Sequence, residues 1–212
     1  MTRYMVLKYI LKCLKDNDIA IFNGEGLCRE AFNFDRPGNL YLTDVFGFSV
    51  PFTIGLSMGT NKRIFTFCGE GDILRNLGAT LQMAISGNKN LVLVILNNSC
   101  YQDLGGHPNI FSNIQHKHGI FFDMGFLSFN LTKYFIDAYH AKSINDLING
   151  LIGPVSIFID VDKSKTFPQI SISKLDMINR FKTFVKDVDL GTSISDPPVI
   201  DVSSIGGLPN GI

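Results

Sequence analysis

The chain has 212 residues, 45% of them hydrophobic, and its 19 Lys and Arg balance 19 Asp and Glu. That size and apolar fraction fit one large domain with a real core, and the balanced charge, without a basic run or an aromatic-basic stripe, argues against nucleic-acid binding. Cys13, Cys28, Cys68 and Cys100 lack CxxC spacing and a chain this long needs no staples, so reduced thiols and a cytoplasmic location are expected.

Residues 1–15 alternate charge with apolar positions, which predicts neither a signal peptide nor a membrane segment. Within them Val6, Ile10, Cys13 and Leu14 recur at helical spacing, predicting a helix over 2–15. A short buried strand follows over 18–22. The alternation then repeats, with a strand at 40–43, a helix at 48–58, a strand at 64–67, a helix at 73–85 and an apolar strand at 91–96. Further candidates are a strand over 134–138, a helix over 143–151, a strand over 155–161 and an amphipathic helix over 173–185. Strands without polar alternation imply a sheet covered on both faces. The series therefore predicts an α/β fold, a doubly wound, mostly parallel sheet with helices on both faces. The domain is expected to span 1–185. From 186 to 212 Gly, Ser, Pro and Asp dominate, which predicts a flexible or docking tail.

Ligands of such sheets bind beyond the carboxyl ends of the strands, and two loops there are chemically unusual. The first reads Gly69-Glu70-Gly71-Asp72 and opens a helix, offering small residues for close backbone approach beside acidic side chains. The second reads Asn97-Asn98-Ser99-Cys100-Tyr101, directly after the most apolar strand. A carboxylate, an Asn oxygen and a backbone carbonyl converging on one point make a hard-oxygen site that suits Mg²⁺ with phosphate oxygens and water.

Gly69-Glu70-Gly71, then about 25 residues, then Asn97-Asn98 resembles the signature of thiamin diphosphate enzymes, Gly-Asp-Gly followed by Asn-Asn. The likeness extends further. Asn76-Leu77-Gly78, Tyr101 and Gly105-Gly106-His107-Pro108 are similar to the NLG-like segment and YxxTGGQP-like loop of sulfopyruvate and phosphonopyruvate decarboxylases. Phe46-Gly47-Phe48-Ser49-Val50-Pro51 is similar to their MGxASP segment, and Cys28-Arg29-Glu30 to their SRE segment. The resemblance covers roughly residues 1–184 and concerns the pyrophosphate-binding half of such enzymes.

It implies a thiamin diphosphate- and Mg-dependent lyase that decarboxylates a small 2-oxoacid, its acidic group open among sulfonate, phosphonate and carboxylate. Glu70 and Asn98 would hold Mg²⁺ through side chains and Cys100 through its carbonyl, while Gly69, Gly71, Asp72 and Tyr101 would border the cofactor. Phe46, followed by Gly47, takes the place of the bulky residue that keeps the cofactor's two rings in a V. The Glu that activates the cofactor belongs to a pyrimidine-binding domain with no counterpart here, so a partner chain is implied, in a hetero-oligomer or homodimer.

Three positions depart from the family pattern: Glu70 replaces Asp, Asp44 stands where a Gly carbonyl usually faces the cofactor's amino group, and Leu104 replaces Thr. At His107 two readings stand side by side, a catalytic imidazole meeting substrate or moving a proton and a loop-packing residue. His116, His118 and His140 lack metal-ligand companions, and the first two read as a solvated helix face. Two other functions stay open, a degenerate non-catalytic subunit that binds a partner and a carboligase or oxidoreductase component using the same cofactor site.

Overall fold

A computed structural model describes residues 1–109, 127–130, 141–162 and 168–186. Helix α1 (Arg3–Cys13) starts at Thr2, whose side chain accepts the Met5 N–H, and turns Val6, Leu7, Ile10 and Leu11 inward. Strands β1 (Ile19–Asn23), β2 (Asn39–Leu42), β3 (Ile64–Gly69), β4 (Leu91–Asn97), β7 (Leu127–Asn130) and β8 (Val155–Asp160) form one sheet in the order β2-β1-β3-β4-β8-β7. Every pairing in it is parallel, as the apolar runs predict. All five residues of β1 and all seven of β4 are buried, which requires cover on both faces. A two-residue antiparallel pair, β5 (Cys100–Tyr101) with β6 (His107–Pro108), stands apart from this sheet.

The core is aromatic at its centre. Phe22 pairs in register with Phe67, their rings stack at 4.9 Å, and Tyr41 of β2 stacks on the other side of Phe22 at 5.3 Å. Helix α7 (Lys174–Lys186) closes the β2 side through Arg180, which makes a two-pronged contact with Asp35 at 2.5 and 2.9 Å. Cys28 and Cys68 are free, and burial pushes both thiols up, so they pack as apolar residues. Among the described residues no helix is long and apolar enough to cross a membrane.

The elements depart from the sequence reading in several places. The single helix expected over 73–85 is two, α4 (Glu70–Arg75) and α5 (Leu77–Ser86). Between them Asn76 leaves helical geometry (φ −147°, ψ 62°) and its side-chain amide donates to the Gly47 carbonyl at 2.8 Å. A tertiary hydrogen bond thus overrides local helix preference. Helix α2 (Glu25–Ala31), only seven residues long, and strand β7, only four, fall where the sequence reading expects no element. Helix α3 (Ser49–Ser57) and helix α6 (Ala141–Gly150) fall close to their expected positions. The strand expected over 134–138, the face bearing His116 and His118, and His140 lie outside the described residues, as does the tail from 187 to 212.

Phe67→Ala should lower unfolding free energy by about 3–5 kcal/mol, because it removes a fully buried ring from a stacked pair. Urea unfolding with an unchanged m-value would read this. A loss below about 1 kcal/mol would mean the sheet collapses around the gap.

Candidate active site

The chain leaves β1 for β2 on one side and returns to β3 on the other, so β1 and β3 flank the point where strand order reverses. Crevices form at such points because the outgoing loops diverge. Here the loops after β1, β3 and β4 surround a cavity of about 260 Å³. Asn23 and Gly24 line it from β1, Gly69, Glu70, Gly71 and Asp72 from β3, and Asn98, Cys100 and Tyr101 from β4.

Glu70 is the organising group. Its carboxylate is 2% exposed, and such a charge needs donors. One oxygen, Oε1, accepts the Cys100 N–H at 3.1 Å and the Asn109 side-chain amide at 2.7 Å. The other, Oε2, accepts the Asn98 N–H at 3.2 Å. Burial pushes the carboxyl up, and these hydrogen bonds, that of Asn109 foremost, pull it back down. A carboxylate offers about four lone-pair positions. Oε1 is filled by the Cys100 and Asn109 donors, whereas Oε2 accepts the longer Asn98 bond.

The Asn-Asn pair divides its labour. Asn97 donates to Asp160 at 2.6 Å and accepts the Ser99 N–H at 3.1 Å, which holds Ser99 at φ 60°. Asn98 borders the cavity, where its oxygen accepts the Cys100 N–H at 3.1 Å and the Cys100 thiol at 3.3 Å. Among the described residues no three His, Cys, Asp or Glu side chains cluster as a ready metal site. A cation would therefore draw on Glu70, Asn98, backbone carbonyl and ligand oxygens, a hard-oxygen set.

Asp72, which lines the cavity, also has a structural task. Its carboxylate accepts the Gly47 N–H and the Ser49 hydroxyl, the latter at 2.7 Å, so it pins the turn in which Gly47 takes φ 75°. That turn projects Phe46 into the cavity lining. Arg75 lies over the Phe46 ring at 4.5 Å and the Tyr101 ring at 5.4 Å, and pairs with Asp103 at 2.6 Å. Tyr101 in turn covers Gly71, where an added Cβ would come within 2.8 Å of the ring.

Sequence reasoning missed four contributors. Asn23 is 2% exposed, lines the cavity, and has neither amide atom hydrogen-bonded. A polar residue ending an apolar strand was the available signal. Arg3, also lining the cavity, reaches Glu30 at 2.8 Å and Gln102 at 3.1 Å. Arg75 and Asn109 became visible only once the loops were folded together. Of the expected residues, His107 is exposed on β6 and lies outside the cavity lining, as does Gly47, whose carbonyl accepts the Asn76 side-chain amide. Asp44 is exposed and paired with Lys174 at 2.5 Å, which with Thr43 holds its carboxyl below the usual range. Leu104 is exposed on a short 3-10 turn.

Comparison with known proteins bears on this geometry. Residues 27–144 match the family model described as thiamine pyrophosphate enzyme, C-terminal TPP binding domain. The chain is 25% identical over 168 residues to sulfopyruvate decarboxylase subunit beta of Methanothermobacter thermautotrophicus, covering 78% of this chain and 86% of that one. It is 22% identical to the same subunit of Methanococcus maripaludis, covering 88% and 98%. The fold matches the X-ray structure of a Mycobacterium smegmatis enzyme described as thiamin diphosphate-dependent, with a TM-score of 0.61, 14% identity and 77% of this chain covered. This chain spans 32% of that structure's length.

Asp72→Ala should release the 46–49 turn and lower stability by about 1–3 kcal/mol, the usual cost of leaving buried donors without their acceptor. Thermal unfolding would measure the loss. Hydrogen exchange at Gly47 should quicken at the same time, and unchanged protection there would contradict the pinning role.

Proposed function

This chain belongs to the thiamine pyrophosphate enzyme family through its C-terminal TPP binding domain, and from that premise we propose that it is the cofactor-binding subunit of a two-component 2-oxoacid decarboxylase. The observation that carries the reading is the cavity at the β1/β3 switch point. There the unpaired, buried Asn23 amide, Glu70 and Asn98 meet beneath Phe46. An orphaned amide in a crevice costs free energy unless a ligand completes it. A diphosphate would do so, which is the fit that this cofactor requires. For Mg²⁺ the fit is the less tightly held Oε2 of Glu70, the Asn98 oxygen once it gives up the Cys100 thiol, and the Cys100 carbonyl.

When bound, thiamin diphosphate supplies an electron-accepting ring that takes the pair released as carbon dioxide departs. The protein's work is positional. Gly69 and Gly71 let the backbone come close to the diphosphate, Phe46 forms a rigid wall, and Arg75 clamps that wall to Tyr101. The exposed His107 joins the chemistry only when a partner covers it. For the substrate, the relatives' names support sulfopyruvate. Their designation as beta subunits supports a partner chain, here of the pyrimidine-binding kind.

The surface supports the partner as well. Residues 45–59 and 77–86 contain no charged side chain. Helices α3 and α5 pack together and leave Phe48, Phe52, Met58, Leu81 and Ile85 exposed, beside Phe46 of the cavity. A helix that is apolar all round is normally covered, and a contiguous apolar patch marks an interface.

Calorimetric titration with thiamin diphosphate and Mg²⁺ tests the site. Glu70→Ala and Asn98→Ala should each abolish Mg²⁺-dependent binding and preserve the fold, and unchanged affinity in both would remove the metal assignment. Carbon dioxide release from sulfopyruvate should require a pyrimidine-binding partner, and Phe52→Glu with Ile85→Glu should prevent that activation. Turnover by the chain alone would overturn the two-component reading.

A further inference from the structure

We infer that Asn109 is a positioning residue that decides which oxygen of Glu70 faces the cation; this rests on the metal reading above. Glu carries one more methylene than the Asp of the family pattern. Its terminal torsion is broad and roughly two-fold, so either oxygen could turn toward the cavity. Something must fix it.

The Asn109 side chain does so with the shortest hydrogen bond that the carboxylate receives, 2.7 Å to Oε1. Together with the Cys100 N–H on the same atom it occupies both lone-pair positions of Oε1. That makes Oε2, which accepts the longer Asn98 N–H bond at 3.2 Å, the less tightly held oxygen and the one better able to turn to a cation. Asn109 is itself well anchored. It is 5% exposed, its N–H donates to the Ser99 carbonyl at 3.2 Å, and it directly follows Pro108, which pairs with Cys100 across β5 and β6. The small hairpin thus returns the chain to the loop that Glu70 organises. The choice of an amide has a consequence too. A Lys or Arg here would neutralise the carboxylate and compete with a cation, whereas Asn orients it and leaves its full charge available.

The test is a double-mutant cycle on metal affinity, read from the electron paramagnetic resonance of free Mn²⁺ in place of Mg²⁺ at saturating thiamin diphosphate. Asn109→Leu should weaken Mn²⁺ binding about tenfold in the native background, the scale on which groups supporting a metal ligand act. In a Glu70→Asp background the shorter side chain no longer reaches Asn109, so the same change should cost less than about twofold. Asn109→Ala, expected to show the same pattern, covers the case in which leucine does not fit. Equal losses in both backgrounds would mean that Asn109 only supports the loop, and no loss would mean that it does nothing for the ligand; either overturns the inference while the metal site stands. Failure of the native chain to bind Mn²⁺ would overturn both.

Discussion

Burying the Glu70 carboxylate between the ends of β3 and β4 imposes the conformation of everything around it. A residue that is 2% exposed and carries a charge must collect hydrogen bonds, and those within α4, which begins at Glu70 itself, do not suffice. Further donors come from the β4 loop, through the Asn98 and Cys100 amides. To present both, the loop bends through Ser99 at φ 60°, a conformation uncommon outside Gly, which Asn97 holds with its side-chain oxygen. The bend sends the chain out as β5 and back as β6, and the return delivers Asn109. One buried charge therefore accounts for the loop, the hairpin and the last donor.

Asp72, two residues on, does the equivalent job on the other side of the crevice. By gripping Gly47 and Ser49 it ties the start of α3 to α4, and Asn76 completes the tie by donating to the Gly47 carbonyl. The break between α4 and α5 is the structural cost of that bond, and the gain is a fixed Phe46. The two acids of the Gly-Glu-Gly-Asp segment thus face opposite ways, Glu70 organising the loop after β4 and Asp72 the turn before α3. Arg75 links the results by stacking on Phe46 and Tyr101. Movement at either loop is felt at the other through this cation.

The sheet was legible because its signal is collective. Runs such as 91–96 are apolar throughout, and in series with amphipathic helices they read as parallel strands covered on both faces. The site was legible at Glu70, Asn98 and Phe46 because short motifs sit directly after those strands. The rest was hidden for physical reasons. Asn76 reads as a tolerable helix residue until Gly47 is known to lie beside it, and Asn109 reads as loop until the hairpin folds back. Arg3 and Glu30 are 27 positions apart, and nothing in the local pattern of either tells that they meet. Asn23 differs from these, since a polar residue closing an apolar strand at a switch point was available to be read.

The charge distribution carries the last step. Inside the crevice charges are dense and almost all are matched: Arg3 with Glu30, Arg29 with Glu25, and Arg75 with Asp103. A dianionic ligand placed there does not meet a strongly positive pocket. Its affinity must come from a cation that it brings with it and from groups that are as yet unsatisfied, such as the Asn23 amide. Outside, along α3 and α5, charge is absent altogether. Water competes poorly for such a face, whereas an apolar partner surface gains from every contact, and Phe46 stands at the border of both regions. Covering the apolar face would thus also exclude water from the side of the cavity on which Phe46 stands. In low dielectric the matched pairs would strengthen, so association at this face would be coupled to ordering of the site in the same direction.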